Sequence, residues 1–210
     1  MYIPRLFRQD STELLHEVIQ QFSFATLVTI RQGAPFASHL PFLLDSARGE
    51  QGALLGHMAR ANPQWKDFDS SQEVLVVFQG PHAYVSPSWY EGSLHVPTWN
   101  YVAVHAYAVP RVIDDDAEFY RLLQTMVDKF EGAFEKPWKF DLPSDYVQEM
   151  MKAIVGFELR ITRLEGKEKL SQNRDEADQR RVTDILASSS DPNARGVAEW
   201  MAKIYKYDSR

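Results

Sequence analysis

The sequence predicts a mainly β protein with flanking helices (α+β), its strands paired antiparallel in a barrel. Two observations carry this. Between residues 24 and 112, short segments rich in β-branched and aromatic side chains recur, bounded by clusters of Gly, Pro, Asp and Asn. Only one short helix, after Asn62, interrupts them, so the run has none of the crossover helices that parallel pairing needs.

The elements follow in order. Asp10 with Glu13 makes a capping-box-like helix start, and the helix runs to about Gln21 with Leu14, Leu15, Val18 and Ile19 on its apolar face. Strands are expected at Phe24–Ile30, Phe36–Leu44, Ala53–His57, Val74–Gln79, His82–Ser86 and Asn100–Val112. Gly33, Asp45–Gly52, Gly80-Pro81 and Pro87–Pro97 separate them. Pro41 implies an edge or bulge, because a proline cannot donate to a central ladder. Asp114–Asp116 opens a helix to Gly132, acidic residues suiting its positive end, with a stripe of Phe119, Leu122, Leu123, Met126, Val127 and Phe130. Ser144 is expected to cap a helix through Lys152, and Val155–Leu164 alternates as a returning strand. Two small helices finish the chain, the second starting at Asp191-Pro192, an N-cap and first-position pair. The organisation expected is a barrel domain over 1–170, with a helical insertion at about 116–152, and a helical tail over 171–210 packed on it.

Composition narrows the function classes. The 210 residues are 44% hydrophobic and 25% charged, as in ordinary globular proteins. No apolar run approaches the roughly 20 residues that span a bilayer, and MYIPRLFRQD lacks the features of a secretory signal, so the cytoplasm is the expected location. The absence of cysteine excludes disulfides, iron–sulfur clusters, thiolate zinc sites and thiol nucleophiles. With 23 basic against 29 acidic residues and a net charge of −6, direct DNA contact is not expected. G-x-G-x-x-G, P-loop and G-x-S-x-G motifs are missing, as is H-E-x-x-H. No metal site is expected.

The segment Leu54–Trp65, LLGHMARANPQW, is the most suggestive. Asn62-Pro63 is a helix start, and such a start offers unpaired N–H groups to an anion. Arg60 beside it adds charge, and His57 lies on the preceding strand. Taken alone, this is also what any well-made helix start looks like. Trp99-Asn100-Tyr101 reads equally as packing at a barrel mouth or as the wall of a ligand site. Lys169–Arg174 reads as a solvated connection, or as a source of groups for a phosphate.

Five segments together resemble the PaiB-type FMN-binding proteins, a family of negative transcriptional regulators: MYIP (Met1–Pro4), FATLVT with PFASHLPFLLD (Phe24–Asp45), GHMARANPQW (Gly56–Trp65), VPTWNYVAVHAY (Val96–Tyr107) and KLSQNR (Lys169–Arg174). The resemblance implies an FMN-binding split β-barrel, antiparallel and Greek-key-like, with flanking helices and a helical C-terminal tail. It also implies a homodimer holding FMN noncovalently at its interface. On these segments the resemblance places Ala37, Ser38, His39 and Leu40 along the flavin ring, and His57, Arg60 and Asn62 at the phosphate. Trp99 and Asn100 would close the pocket, and Lys169, Ser171, Gln172 and Arg174 would reach the cofactor from one subunit or the other. Two other classes stay open: a flavin-dependent oxidoreductase of a small molecule, recognised by flavin reduction with NADH or NADPH, and a haem-binding or haem-degrading split barrel with His57 or His39 on iron.

Overall fold

In the computed structural model the described residues are 1–91, 94–140 and 143–206. The expected loop over Pro87–Pro97 includes 92–93, which lie outside them. The strands are β1 (Arg8–Gln9), β2 (Phe24–Arg31), β3 (Ala34–Pro41), β4 (Leu43–Asp45), β5 (Ala53–Ala59), β6 (Val74–Val85), β7 (Thr98–Val112) and β8 (Ile154–Lys169). The helices are α1 (Thr12–Gln21), α2 (Asp116–Glu131), α3 (Ser144–Lys152), α4 (Glu176–Ala187) and α5 (Pro192–Tyr205), with 3-10 turns at Arg5–Phe7, Pro63–Asp67 and Pro87–Trp89. The strands order as β3-β2-β6-β7-β8-β5-β4, with β1 on β8, in one eight-stranded sheet. The expected antiparallel barrel is present in split form: its hydrogen-bonded path ends at β3 and β4 instead of closing.

Contacts divide the chain into two units: Met1–Val18, Gln79–His105 and Glu165–Arg210 in the first, Ile19–Phe78 and Ala106–Leu164 in the second. In the second unit, β2 and β3 form a hairpin whose two-residue turn has Gln32 and Gly33 at φ 52° and 79°. Such a pair matches the right-handed twist of the flanking strands. Phe42, Phe78 and Phe157 meet edge to face at 5.9 and 6.2 Å in the core. Helix α2 packs Phe119, Leu122, Leu123 and Met126 with Leu43 and Ile113. Gly156 permits that approach, since a Cβ there would lie 2.4 Å from the Phe119 ring.

In the first unit, α4 and α5 bury Val182, Leu186, Val197 and Met201 together with Leu170. Asp175 caps α4 by accepting from the Asp178 N–H at 2.9 Å, and Asp191 caps α5 by accepting from Asn193 at 2.9 Å.

Several boundaries differ from expectation for physical reasons. Ser11, not Asp10, caps α1, its Oγ facing the Leu14 N–H at 3.4 Å. Phe42 divides the Phe36–Leu44 run into β3 and β4, its N–H leaving the ladder for Ser23 O at 2.8 Å. Gly80-Pro81 does not end a strand. The buried positions shift from 74, 76, 78 and 80 to 81, 83 and 85, the one-residue offset of a bulge, and β6 runs through. Ser144 is the first residue of α3 and Pro143 its cap position, without a side-chain cap bond. Strand β8 continues to Lys169, past the expected end at Leu164.

Candidate functional site

The expected site residues fall into both units, and each group has its own geometry. In the second unit, Asn62 does cap the Pro63–Asp67 turn: its Oδ1 accepts from the Gln64 N–H at 3.0 Å, and its Nδ2 donates to Ser38 Oγ at 2.9 Å. Of the N–H groups expected to face an anion, that of Gln64 is therefore met by the cap itself. Gln64, fully buried, donates from Nε2 to Leu27 O, Thr29 Oγ1 and Phe36 O at 3.1–3.2 Å. Arg31 pairs with Asp67 at 2.8 Å and donates to Pro63 O at 3.1 Å. The turn is thus bolted to the β2–β3 hairpin.

Arg60 projects to the end of α3. Its backbone N–H meets Ala153 O at 2.8 Å, its Nε donates to Lys152 O at 2.6 Å, and its Nη2 donates to Ile154 O at 2.8 Å. A guanidinium there satisfies carbonyls that a helix C-terminus leaves open and complements its negative end. His57 meets helix α2. Its Nδ1 lies 3.4 Å from Met126 Sδ, and burial holds the imidazole below the usual histidine range. On the edge strand β3, His39 shares a 3.0 Å contact between its Nδ1 and Thr26 Oγ1, and Ala37, Ser38 and Leu40 continue the same strand. Among the described residues, one edge of β3 has no ladder partner.

The first unit holds the other group. Alternation along β7 sends Trp99 and Tyr101 to one face and Asn100 to the other. Asn100 is fully buried; its Nδ2 donates to Ser171 Oγ at 2.9 Å, and its Oδ1 has no partner. Ser171 takes φ 69°. Gln172 folds back, accepting from the Leu170 N–H at 2.7 Å and donating to Glu168 O. Asn100, Ser171 and Gln172 thus bond within the loop, and Asn100 Oδ1 is the atom they leave unmatched. Trp99 is 53% exposed, with Tyr84 edge-on at 6.0 Å and His82 at 6.3 Å.

Because β8 reaches Lys169, Lys167 and Lys169 share a face. The Lys169 ammonium donates to Trp99 O at 2.6 Å, and the Lys167 ammonium to Tyr2 O at 3.1 Å, 5.2 Å from the centre of the Tyr101 ring. Arg174 donates to His95 Nδ1 at 2.9 Å and lies 4.3 Å over Tyr90. Since Nδ1 accepts, the His95 proton is on Nε2, which donates to Glu91 O at 2.6 Å. Burial, then the neighbouring charges of Lys167 and Arg174, push the Lys169 ammonium below the usual lysine range. Among the described residues, none of the three cations lies within ion-pair range of a carboxylate. Glu168, between the lysines in sequence, faces the opposite way; burial raises its carboxyl, and Gln9 Nε2 donates to it at 2.9 Å.

Lys167, Tyr101 and His95 were not among the expected contacts. The signal for Lys167 is the i, i+2 spacing in GKEK, usable only once those residues belong to a strand. Cations clustered without an acidic partner, beside exposed aromatic rings, fit a flat ring carrying a phosphate. Among the described residues no group of three or more His, Cys, Asp or Glu could hold a metal ion, and no helix is long and apolar enough to cross a membrane.

Comparison with known proteins agrees with this chemistry. The family described as "Putative FMN-binding domain" matches residues 1–163. "Protease synthase and sporulation protein PAI 2" of Bacillus subtilis is 40% identical over 202 residues, covering 96% of both chains. Among solved structures, the flavocytochrome Anf3 from Azotobacter vinelandii superposes with a TM-score of 0.64 at 16% identity, over 84% of this chain and 77% of its own. The FAD and haem binding protein from Mycobacterium smegmatis gives 0.61 at 18% identity, over 87% and 80%. At those identities the two structures share the split-barrel fold alone with this chain. The family match across most of the sequence and the extended similarity to the Bacillus protein identify the chain as a member of the PaiB-type FMN-binding family, whose cofactor is FMN.

Proposed function

We propose that the chain seats the phosphate of noncovalently bound FMN on Lys167, Lys169 and Arg174, and that a cytoplasmic homodimer of it serves as a PaiB-type regulator or redox sensor. One observation carries the phosphate position: three converging cations have no acidic partner among the described residues. A phosphomonoester is close to doubly charged at neutral pH, and Lys and Arg bind it through charge-assisted hydrogen bonds. Trp99 and Tyr101, on the same face of β7, offer an aromatic wall to the ring. Bound FMN supplies one- and two-electron transfer chemistry. The chain's share is to bind, orient and shield it. Purified protein titrated with FMN is expected to show a saturable flavin spectrum; a colourless protein without saturable binding overturns the proposal.

A second reading puts the phosphate at Arg60. Its guanidinium has no carboxylate partner among the described residues and lines a pocket of about 950 Å³ with Trp65, Ser144 and Lys152. In that reading the guanidinium releases the carbonyls of Lys152 and Ile154 and turns to the ligand. Substituting each cation separately distinguishes the two positions.

The homodimer rests on the outer face of the β2–β3 hairpin. Phe24, Thr26, Val28 and Ile30 stand opposite Pro41, His39, Ala37 and Pro35, with Phe24 69% and Ile30 59% exposed. An apolar sheet face of this kind suits a two-fold contact with itself. Sedimentation is expected to give a dimer for the native chain and a monomer for Ile30→Lys. A regulatory effect would be indirect, because a net charge of −6 opposes DNA overall and the cation cluster described above is assigned to the FMN phosphate. A gel shift with the purified dimer at low salt tests this, and retention of the DNA contradicts it.

A further inference from the structure

The His57–Met126 contact in the second unit takes no part in either phosphate position proposed above. His57 stands in the middle of β5, opposite Gly156 of β8. Its Nδ1 and Met126 Sδ of α2 approach to 3.4 Å. Both border a pocket of about 200 Å³ whose other walls include Met150 and Met151 of α3, Leu123 and Ile154. Apart from His57, no ionisable side chain enters that lining.

We infer that His57 Nδ1 and Met126 Sδ are two adjacent ligands of a site for a soft monovalent cation of the Cu(I) class, completed by a thioether of Met150 or Met151. The spacing is right for two donors on one ion. Metal–nitrogen and metal–sulfur bonds of about 2.0 and 2.3 Å, opened at a tetrahedral angle, place the donors about 3.5 Å apart. The donor set selects the ion. Thioether and imidazole ligands are soft or intermediate and neutral, so they favour Cu(I) over hard, oxygen-seeking cations. An apolar lining without an anion cannot offset a second positive charge, which disfavours divalent ions. The ion would also join β5 to α2 and α3, since its ligands come from all three elements. This inference rests on neither of the two phosphate positions proposed above.

The same 3.4 Å separation is open to a simple N–H···S contact, so the experiment must distinguish a ligand pair from a hydrogen bond. The full chain is titrated anaerobically with Cu(I) in competition with a chromophoric Cu(I) chelator, beside Met126→Leu and, as a control, Met201→Leu, whose thioether lies in α5. Leucine keeps nearly the volume of methionine, and circular dichroism verifies that each variant is folded. The expected result is one Cu(I) withdrawn per native chain, affinity lowered at least tenfold in Met126→Leu, and no change in Met201→Leu. Thermal unfolding should shift upward with Cu(I) in the native chain and not in Met126→Leu. Failure of the native chain to compete with the chelator overturns the inference, as does binding that survives Met126→Leu undiminished.

Discussion

At the Asn62 turn the polar groups are already spent on the protein itself: the cap takes the Gln64 N–H, the amide holds Ser38, and Arg60 donates to carbonyls at the α3–β8 junction. At the end of β8, Lys167, Lys169 and Arg174 bring like charges together with no carboxylate in ion-pair range among the described residues, and burial, then those neighbouring charges, lowers the Lys169 ammonium. Both regions are polar turns after a strand. Arg60 and the lysines alike donate to carbonyls and lack a carboxylate in ion-pair range among the described residues. Only at the end of β8 do three cations gather, and gathered charge is stronger evidence for an ionic ligand than a well-formed cap. Caps and buried amides stabilise a fold by satisfying its own backbone. Repelling cations held together are costly until an anion arrives.

The contrast can be broken or sharpened by substitution. The largest effect is expected from the double variant Lys167→Met, Lys169→Met. Each charge-assisted bond is worth about 1.5–3 kcal/mol, so FMN affinity should fall by about a hundredfold or more by fluorescence titration. A loss under threefold would move the phosphate elsewhere.

Next comes pH. The Lys169 ammonium attracts a phosphate only while protonated, and its pKa lies below the ordinary 10.5. FMN affinity should therefore weaken as the solution is made alkaline, beginning before a normal lysine would titrate, by about tenfold for the loss of one such interaction. A Lys169→Met chain should show a flat profile over the same range. Equal slopes in the two would remove Lys169 from the phosphate.

Smaller changes are expected at the other turn. Arg60→Met should leave FMN affinity within about threefold, because its bonds are internal, while lowering the melting temperature through the two unmet carbonyls. A hundredfold loss of FMN with an unchanged melting temperature would instead favour the Arg60 reading. Asn62→Ala should cost about 1 kcal/mol of stability in urea unfolding, the usual worth of a cap, and little FMN affinity.

Much of the fold was legible because its signals are local. The α2 stripe, the Asp191-Pro192 start of α5 and the alternating strands each declare themselves within a few residues. Two strand limits were not legible. Gly80-Pro81 reads as a break, yet a bulge lets β6 pass through it. The expected strand stops at Leu164, yet Gly166, Lys167 and Glu168 are buried and carry β8 on to Lys169. That second extension is why Lys167 escaped notice, since only a strand puts it on the same side as Lys169. Asn62 was readable as a cap, but the bonds that use it up come from Gln64 and from Ser38 in β3. Partnership across strands is long-range information that no short motif contains.

The phosphate position is tested most directly by comparing FMN with riboflavin, which shares the ring and ribityl chain and lacks the phosphate. Calorimetric titration of the native chain, Lys169→Met and Arg60→Met with both ligands is expected to show a strong preference for FMN in the native chain and in Arg60→Met. That preference should fall by tenfold or more in Lys169→Met, with riboflavin affinity unchanged. An intact FMN preference in Lys169→Met, together with its loss in Arg60→Met, would contradict the assignment.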